Sequence, residues 1–174
     1  ALIPLILETG CRKAIRLGLA QPTLAGTNAH LLPKHYRQVG AQIASFAEVA
    51  AEAGIVLEFD CGFVRCMFSE SELETLHAAH ADVGWRCNPV LDVDLDGRVF
   101  HCFPLAERFS AHLGEGRDAA SLRAELETAT RPYRQAGVFS ECSSCLHKQQ
   151  GTCTGGCLAS TIRRFSSHSF SLTL

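Results

Sequence analysis

Eight of the nine cysteines in this 174-residue chain form one ordered array. Cys61 and Cys66 open it, with four residues between them. Cys87 and Cys102 follow, bracketing Gly97 in the spacing C-x9-G-x4-C. Cys142, Cys145, Cys153 and Cys157 close it as C-x2-C-x7-C-x3-C, and only Cys11 stands apart. Whatever fold this chain adopts must accommodate thiols arriving from several separate loops. Eight thiolates is the number that two four-iron, four-sulfur clusters require at four each. Two four-cysteine zinc sites satisfy the same arithmetic. Disulfides are the third alternative. They fit less well, because disulfide frameworks belong to small secreted domains, whereas C-x2-C pairs in other settings read as metal ligands.

The remaining composition limits the classes of partner. An apolar share of 47% against 20% charged residues supports a real buried core. A net charge of −2 gives no long-range attraction to nucleic acid or to anionic lipid, so neither partner is expected. The longest apolar run, residues 1–7, is interrupted by Pro4 and is far too short to span a bilayer. It also lacks the basic flank and small-residue cleavage site of an export signal. A cytoplasmic location is therefore expected. The first residue is Ala rather than Met, which suggests a fragment of a longer protein.

Along the chain, residues 15–20 read as a short buried strand ending at Gln21-Pro22. Pro33 suits the first turn of a helix. From residue 33 to 53, Val39, Ile43, Phe46, Val49 and Ala50 recur at helical spacing, and Gly54 suits the position just past the helix end. Residues 55–60 form a second apolar strand. Strand, helix, strand is a β-α-β unit with parallel pairing. It delivers Cys61 and Cys66 to the C-terminal edge of the strands, where α/β folds usually hold ligands. Ser69 and Glu72 form a capping box for a short helix. Residues 90–103 alternate around Asp96-Gly97, a strong hairpin signal. Residues 119–133 read as mostly helical, with Pro132 expected to end the helix. Residues 140–156 read as a loop without periodicity, and the chain after Ser160 as a helix end followed by a loose tail.

The cysteine array resembles a SPASM domain, the C-terminal auxiliary-cluster module of radical S-adenosylmethionine (radical SAM) enzymes. The resemblance rests on Cys87-Asn-Pro, then Asp94-Leu-Asp-Gly97-Arg-Val-Phe-His-Cys102, then Cys142-Ser-Ser-Cys145, then Cys153-Thr-Gly-Gly-Cys157. Residues 1–60 resemble, more weakly, the last β/α units of the partial barrel of such enzymes. The implied architecture is α/β followed by α+β: the end of a partial TIM-like barrel over residues 1–60, a cysteine-containing linker over 61–86, a small hairpin-plus-helix cluster domain over 87–160, and a tail over 161–174. The resemblance implies two [4Fe-4S] clusters and a role in peptide or protein modification. It also implies a reductant such as ferredoxin or flavodoxin, and S-adenosylmethionine as cofactor of the full-length enzyme only. Its interleaved pattern places Cys142, Cys145 and Cys153 on one cluster and Cys87, Cys102 and Cys157 on the other. Cys61 and Cys66 then supply one ligand each, in either order. An electron-transfer module without catalysis of its own, and a zinc-stapled binding domain, are the alternative readings.

The sequence departs from the family pattern at four points. The catalytic C-x3-C-x2-C is absent, so no catalytic residue is assigned, the chain alone is expected to be inactive, and the catalytic half is expected to lie outside it. Seven residues rather than the usual five separate Cys145 from Cys153. No Cys follows Cys157. Phe103 follows Cys102 where sulfatase-maturing members carry Asp, which argues against that activity.

Other residues read more simply. Cys11 is expected to be a core thiol. Asp92, Asp94, Asp96 and Gly97 begin like a calcium loop, but Phe103 stands where its bidentate Glu belongs, so the hairpin reading stands. Gly155 and Gly156 allow backbone N–H groups to approach sulfur. His77, His80 and His147 read as surface residues. His101, next to Cys102 along a strand, is expected to point away from it.

Overall fold

The computed structural model describes residues 2–166. A short helix, α1 (Leu2–Thr9), precedes strand β1 (Ala14–Leu17). A 3-10 turn at Pro33–His35 leads into helix α2 (Tyr36–Glu52), which crosses to strand β2 (Val56–Phe59). The two strands pair in parallel, from Ala14 opposite Val56 to Leu17 opposite Phe59. On the other side of β2, Asp82 forms a parallel bridge to Glu58, with its amide donating to the Leu57 carbonyl at 2.8 Å. The β-α-β unit is thus present, with strands shorter than the apolar runs suggested.

The buried face of α2 matches the expected one at Ala50 and differs from it elsewhere. Val49 is exposed, while Tyr36, Gly40, Ala44, Ala47 and Ala50 are buried. Val39, Ile43 and Phe46 pack only at the edge of the core. Small residues face inward because the neighbouring chain comes very close. A Cβ on Gly40 would lie 2.1 Å from the Met67 carbonyl oxygen. Helical periodicity could not separate the two faces, because Ala occupies both. Gly54 does stand just past the helix, with φ +67°.

The expected capping box opens helix α3 (Glu70–Ala78): the Ser69 hydroxyl accepts from the Glu72 amide, and the Glu72 carboxylate accepts from the Ser69 amide. Phe63, Val64, Met67, Phe68 and Leu76 are buried in the same core as Ile15, Ile55 and Leu57. A second sheet contains β3 (Asp92–Val93), β4 (Arg98–Phe100) and β5 (Ser110–His112), all antiparallel. The hairpin turns at Gly97, φ +73°. Asp94 serves the turn rather than an ion, accepting from the Asp96 and Arg98 amides and from Arg98 Nε.

Helix α4 (Ala119–Ala136) starts at an Asp118 cap and runs through Pro132 instead of ending there. Proline removes one amide donor, but burial of Leu122, Leu126 and Thr130 on one face holds the helix. The Thr130 hydroxyl also donates to the Leu126 carbonyl at 2.8 Å. Gly137, φ +84°, stops it one turn later. The segment expected as a plain loop holds a 3-10 turn at Ser140–Ser143 and the one-turn helix α5 (Leu146–Gln149). Helix α5 lies between Cys145 and Cys153. Helix α6 (Leu158–Ser166) follows Cys157 and takes in the first residues of the expected 161–174 tail, with Thr161 and Ile162 buried; residues 167–174 lie outside the described residues.

Candidate metal centre

Each array cysteine is placed by a short element or a glycine. Cys61 follows β2, where the Asp60 amide is fixed by a 2.8 Å bond to the Leu17 carbonyl. Gly62 beside it has φ +96°, and a Cβ there would lie 2.1 Å from Gln21 Nε2. Cys66 sits in a 3-10 turn, Arg65–Met67, pressed against Gly40 of α2. The Cys87 amide donates to the Thr154 hydroxyl at 2.9 Å. Cys102 follows β4, in extended conformation, and its carbonyl accepts from the Leu105 amide at 2.9 Å. Cys142 packs so tightly on Gly137 that a Cβ there would lie 2.7 Å from its sulfur. Cys145 immediately precedes α5. Cys153 accepts a 3.3 Å bond at sulfur from the Gly155 amide. Cys157 stands at the start of α6.

The thiols fall into two groups. Cys61, Cys87, Cys102 and Cys157 all line one enclosed, apolar cavity of about 100 Å³. Burial pushes the Cys102 thiol up to about 12, and Cys157, Cys87 and Cys61 add repulsion between like charges. Burial also raises Cys157 to about 11, against the pull of the Ser160 and Ala159 amides at the start of α6. Cys61 is raised by burial, then by Asp60 and Cys87; the residue is exposed on its outer side while it lines the cavity. Cys66 belongs elsewhere. Burial of its inner side takes the otherwise exposed Cys66 thiol to about 11, and repulsion from Cys142, Cys153 and Cys145 adds to the shift. Among the described residues no three His, Cys, Asp or Glu side chains converge on the centre of a single metal ion. Cys61, Cys87, Cys102 and Cys157 line a space rather than a point.

Two side chains on the cavity wall carry unpartnered nitrogens. Gln21 Nε2 and both ring nitrogens of His101 are buried without a hydrogen-bond partner among the described residues. His101 was expected to point away from Cys102. It lies instead on the same cavity wall, because β4 ends at Phe100 and strand alternation no longer applies. Burial lowers its pKa, with Arg123 and Arg134 adding to the effect. Tyr36 is fully buried, and its phenol, raised to about 12 by burial, feels Cys157 of one group and Cys66 of the other. Its hydroxyl has no well-formed hydrogen bond, although the Ser160 hydroxyl is near enough to draw the pKa down.

Cys11 is exposed, not a core thiol, because it precedes β1 and lies outside the core; its sulfur is 3.2 Å from the Thr9 hydroxyl. His77 and His80 are exposed, as expected. His147 is half-buried, and its carbonyl accepts from the Thr152 and Cys153 amides, which makes it a backbone brace for Cys153. Gln21, His101, Tyr36, Gly137 and Thr154 carried no signal in cysteine spacing. Only Gly137 had one, as the natural stop for a helix.

Comparison with protein families, curated proteins and solved structures finds no match to this chain. No helix among the described residues is long and apolar enough to cross a membrane.

Proposed function

We propose that this chain binds two [4Fe-4S] clusters, one on Cys61, Cys87, Cys102 and Cys157 and the other on Cys66, Cys142, Cys145 and Cys153. On that basis we read it as the auxiliary-cluster region of a radical SAM enzyme that modifies a peptide or protein. The observation that carries the reading is the enclosed cavity shared by Cys61, Cys87, Cys102 and Cys157, while the thiols that act on Cys66 are Cys142, Cys153 and Cys145. Evenly shared thiols suit two closed four-cysteine clusters. The enclosed space among Cys61, Cys87, Cys102 and Cys157 suits a group several atoms wide. Single-ion zinc binding would require each set of sulfurs to draw in to about 2.3 Å from one centre.

The fit extends to the surroundings. Unpartnered donors on His101 and Gln21 face a space where sulfur acceptors would sit. Arg134 on the same wall supplies positive charge beside a thiolate-rich group. Gly155 already offers an amide to Cys153 sulfur. When bound, such clusters supply one-electron transfer. Full cysteine ligation leaves no open position for substrate, so we assign both centres to electron passage rather than substrate anchoring. A ferredoxin- or flavodoxin-like reductant, a cytoplasmic setting and a catalytic half with its own S-adenosylmethionine cluster complete the proposal.

Anaerobic purification and reconstitution test it. About eight irons and eight sulfides per chain are expected, at four per cluster. Zinc without sulfide after reconstitution would replace this reading with the zinc-stapled one. A C-x3-C-x2-C motif upstream in the gene would separate the enzyme reading from a free-standing electron carrier.

A further inference from the structure

We propose that side-chain N–H groups of His101 and Gln21 donate hydrogen bonds to the sulfur of the group held by Cys61, Cys87, Cys102 and Cys157, and raise that centre's reduction potential relative to its value without them. The inference rests on the two-cluster reading. It assigns to two residues outside the cysteine array a role at one centre alone.

The first argument is the cost of leaving these groups unpaired. His101 is 6% exposed, and neither ring nitrogen has a partner among the described residues. Burying a polar group without a hydrogen bond is costly, and native structures rarely leave one so. Gln21 Nε2 is in the same condition, while its Oε1 accepts from the Ser160 hydroxyl at 3.1 Å. That bond fixes which end of the amide faces Ser160. The NH2 end is left against Gly62, in the volume a side chain at that position would fill.

The second argument is convergence. Both orphaned groups lie on the wall of the one cavity that four cysteines share, and the rest of that wall is largely apolar. Polar groups collected there have no protein acceptor to reach. Sulfide and thiolate sulfur in the cavity would be that acceptor. A hydrogen bond to sulfur stabilises the more negative, reduced state, which raises the potential. The other group of cysteines has a different kind of donor: its observed N–H to sulfur bond comes from the Gly155 backbone. Side-chain substitution can therefore address one centre and spare the other.

The experiment is a redox titration monitored by electron paramagnetic resonance on the reconstituted full chain. Wild type is compared with His101→Leu, Gln21→Leu, the double variant and His101→Gln, which keeps an N–H donor. Each Leu variant should lower the potential of one centre, by about tenfold in the reduction equilibrium, or about 59 mV for one electron. The second centre should not move, and His101→Gln should recover part of the shift. Unchanged potentials in variants with full iron content would overturn the proposal, as would equal shifts in both centres. Wild-type protein without iron and sulfide would overturn the cluster reading itself, before any variant is compared. Should the variants lose iron, wild-type protein labelled with nitrogen-15 histidine decides by pulsed resonance. A weak nitrogen coupling at one reduced centre supports the donor role. No coupling, or one as strong as that of a directly bonded nitrogen, overturns it.

Discussion

The Cys87 amide and the Thr154 hydroxyl, 67 positions apart in the sequence, meet in a hydrogen bond of 2.9 Å. The Thr154 amide in turn donates to the Trp85 carbonyl at 3.0 Å. One threonine, lying between Cys153 of one group and Cys157 of the other, thus fixes the height of the segment that carries Cys87. The Lys148 ammonium secures the same loop from the other side by donating to the Thr154 and Arg134 carbonyls. Thr154→Val keeps the shape and removes the hydroxyl. We expect a loss of about 1 kcal/mol, seen as a lower thermal midpoint of the metal-free chain. Iron should be lost first from the centre that uses Cys87.

Substitution of cysteines in pairs tests the grouping. Cys61→Ala and Cys66→Ala should each remove about half of the bound iron, at four irons per cluster. Combining Cys61→Ala with Cys87→Ala should cost little more iron than either alone, since both strike one centre. Combining Cys61→Ala with Cys66→Ala should remove nearly all of it. The reverse pattern in iron analysis would exchange Cys61 and Cys66 between the centres.

Gly40→Ala tests how α2 positions Cys66. The added methyl would meet the Met67 carbonyl at 2.1 Å, and backbone cannot yield as a flexible side chain can. Overpacking of this kind typically costs about 1–3 kcal/mol. The shifted turn should also weaken the centre on Cys66, Cys142, Cys145 and Cys153 while sparing the other. Chemical denaturation reads the first effect and iron analysis the second.

The raised thiols give the metal-free chain a defined response to pH. Their ordinary value is 9.0, whereas burial holds Cys66 and Cys157 near 11 and Cys102 near 12 in the folded state. A folded pKa above the unfolded one stabilises the fold fully below the unfolded value and loses that contribution as pH rises through the folded one. Stability should therefore fall between pH 9 and about 12. A stability that is flat or rising over this window, measured by denaturant titration under reducing conditions, would contradict the shielding from solvent that raises these thiols. Metal uptake runs the other way, because ligation needs thiolates and releases protons.

The described chain should not cleave S-adenosylmethionine by itself. Under the proposed division of eight thiols between two clusters, no cysteine set is left one short, as an open iron requires. Reconstituted protein incubated with dithionite and S-adenosylmethionine should form no 5′-deoxyadenosine above a protein-free control. Catalytic formation would mean that one of the eight cysteines is not a ligand.

Local chemistry made several elements legible in the sequence. Ser69 and Glu72 form a capping box through short-range hydrogen bonds that only three positions of spacing decide. Asp96-Gly97 turns because glycine alone enters φ +73° without cost. The parallel strands around α2 followed from apolar runs and a helix of crossover length. Tertiary packing decided what such signals leave open. It kept α4 helical past Pro132 because one face was already buried. It turned the small residues of α2 inward because Met67 approaches Gly40 more closely than any side chain allows. The spacing of the cysteine array limits which thiols share a loop, and that much was legible. It could not assign Cys61 and Cys66 to opposite groups, because four intervening residues permit either arrangement. The turn at Arg65–Met67 made that choice, carrying Cys66 towards Cys142, Cys145 and Cys153 while Cys61 stayed at the end of β2. His101 and Gln21 became part of the site for the same reason: only the folded chain brings residues 80 positions apart to one cavity wall.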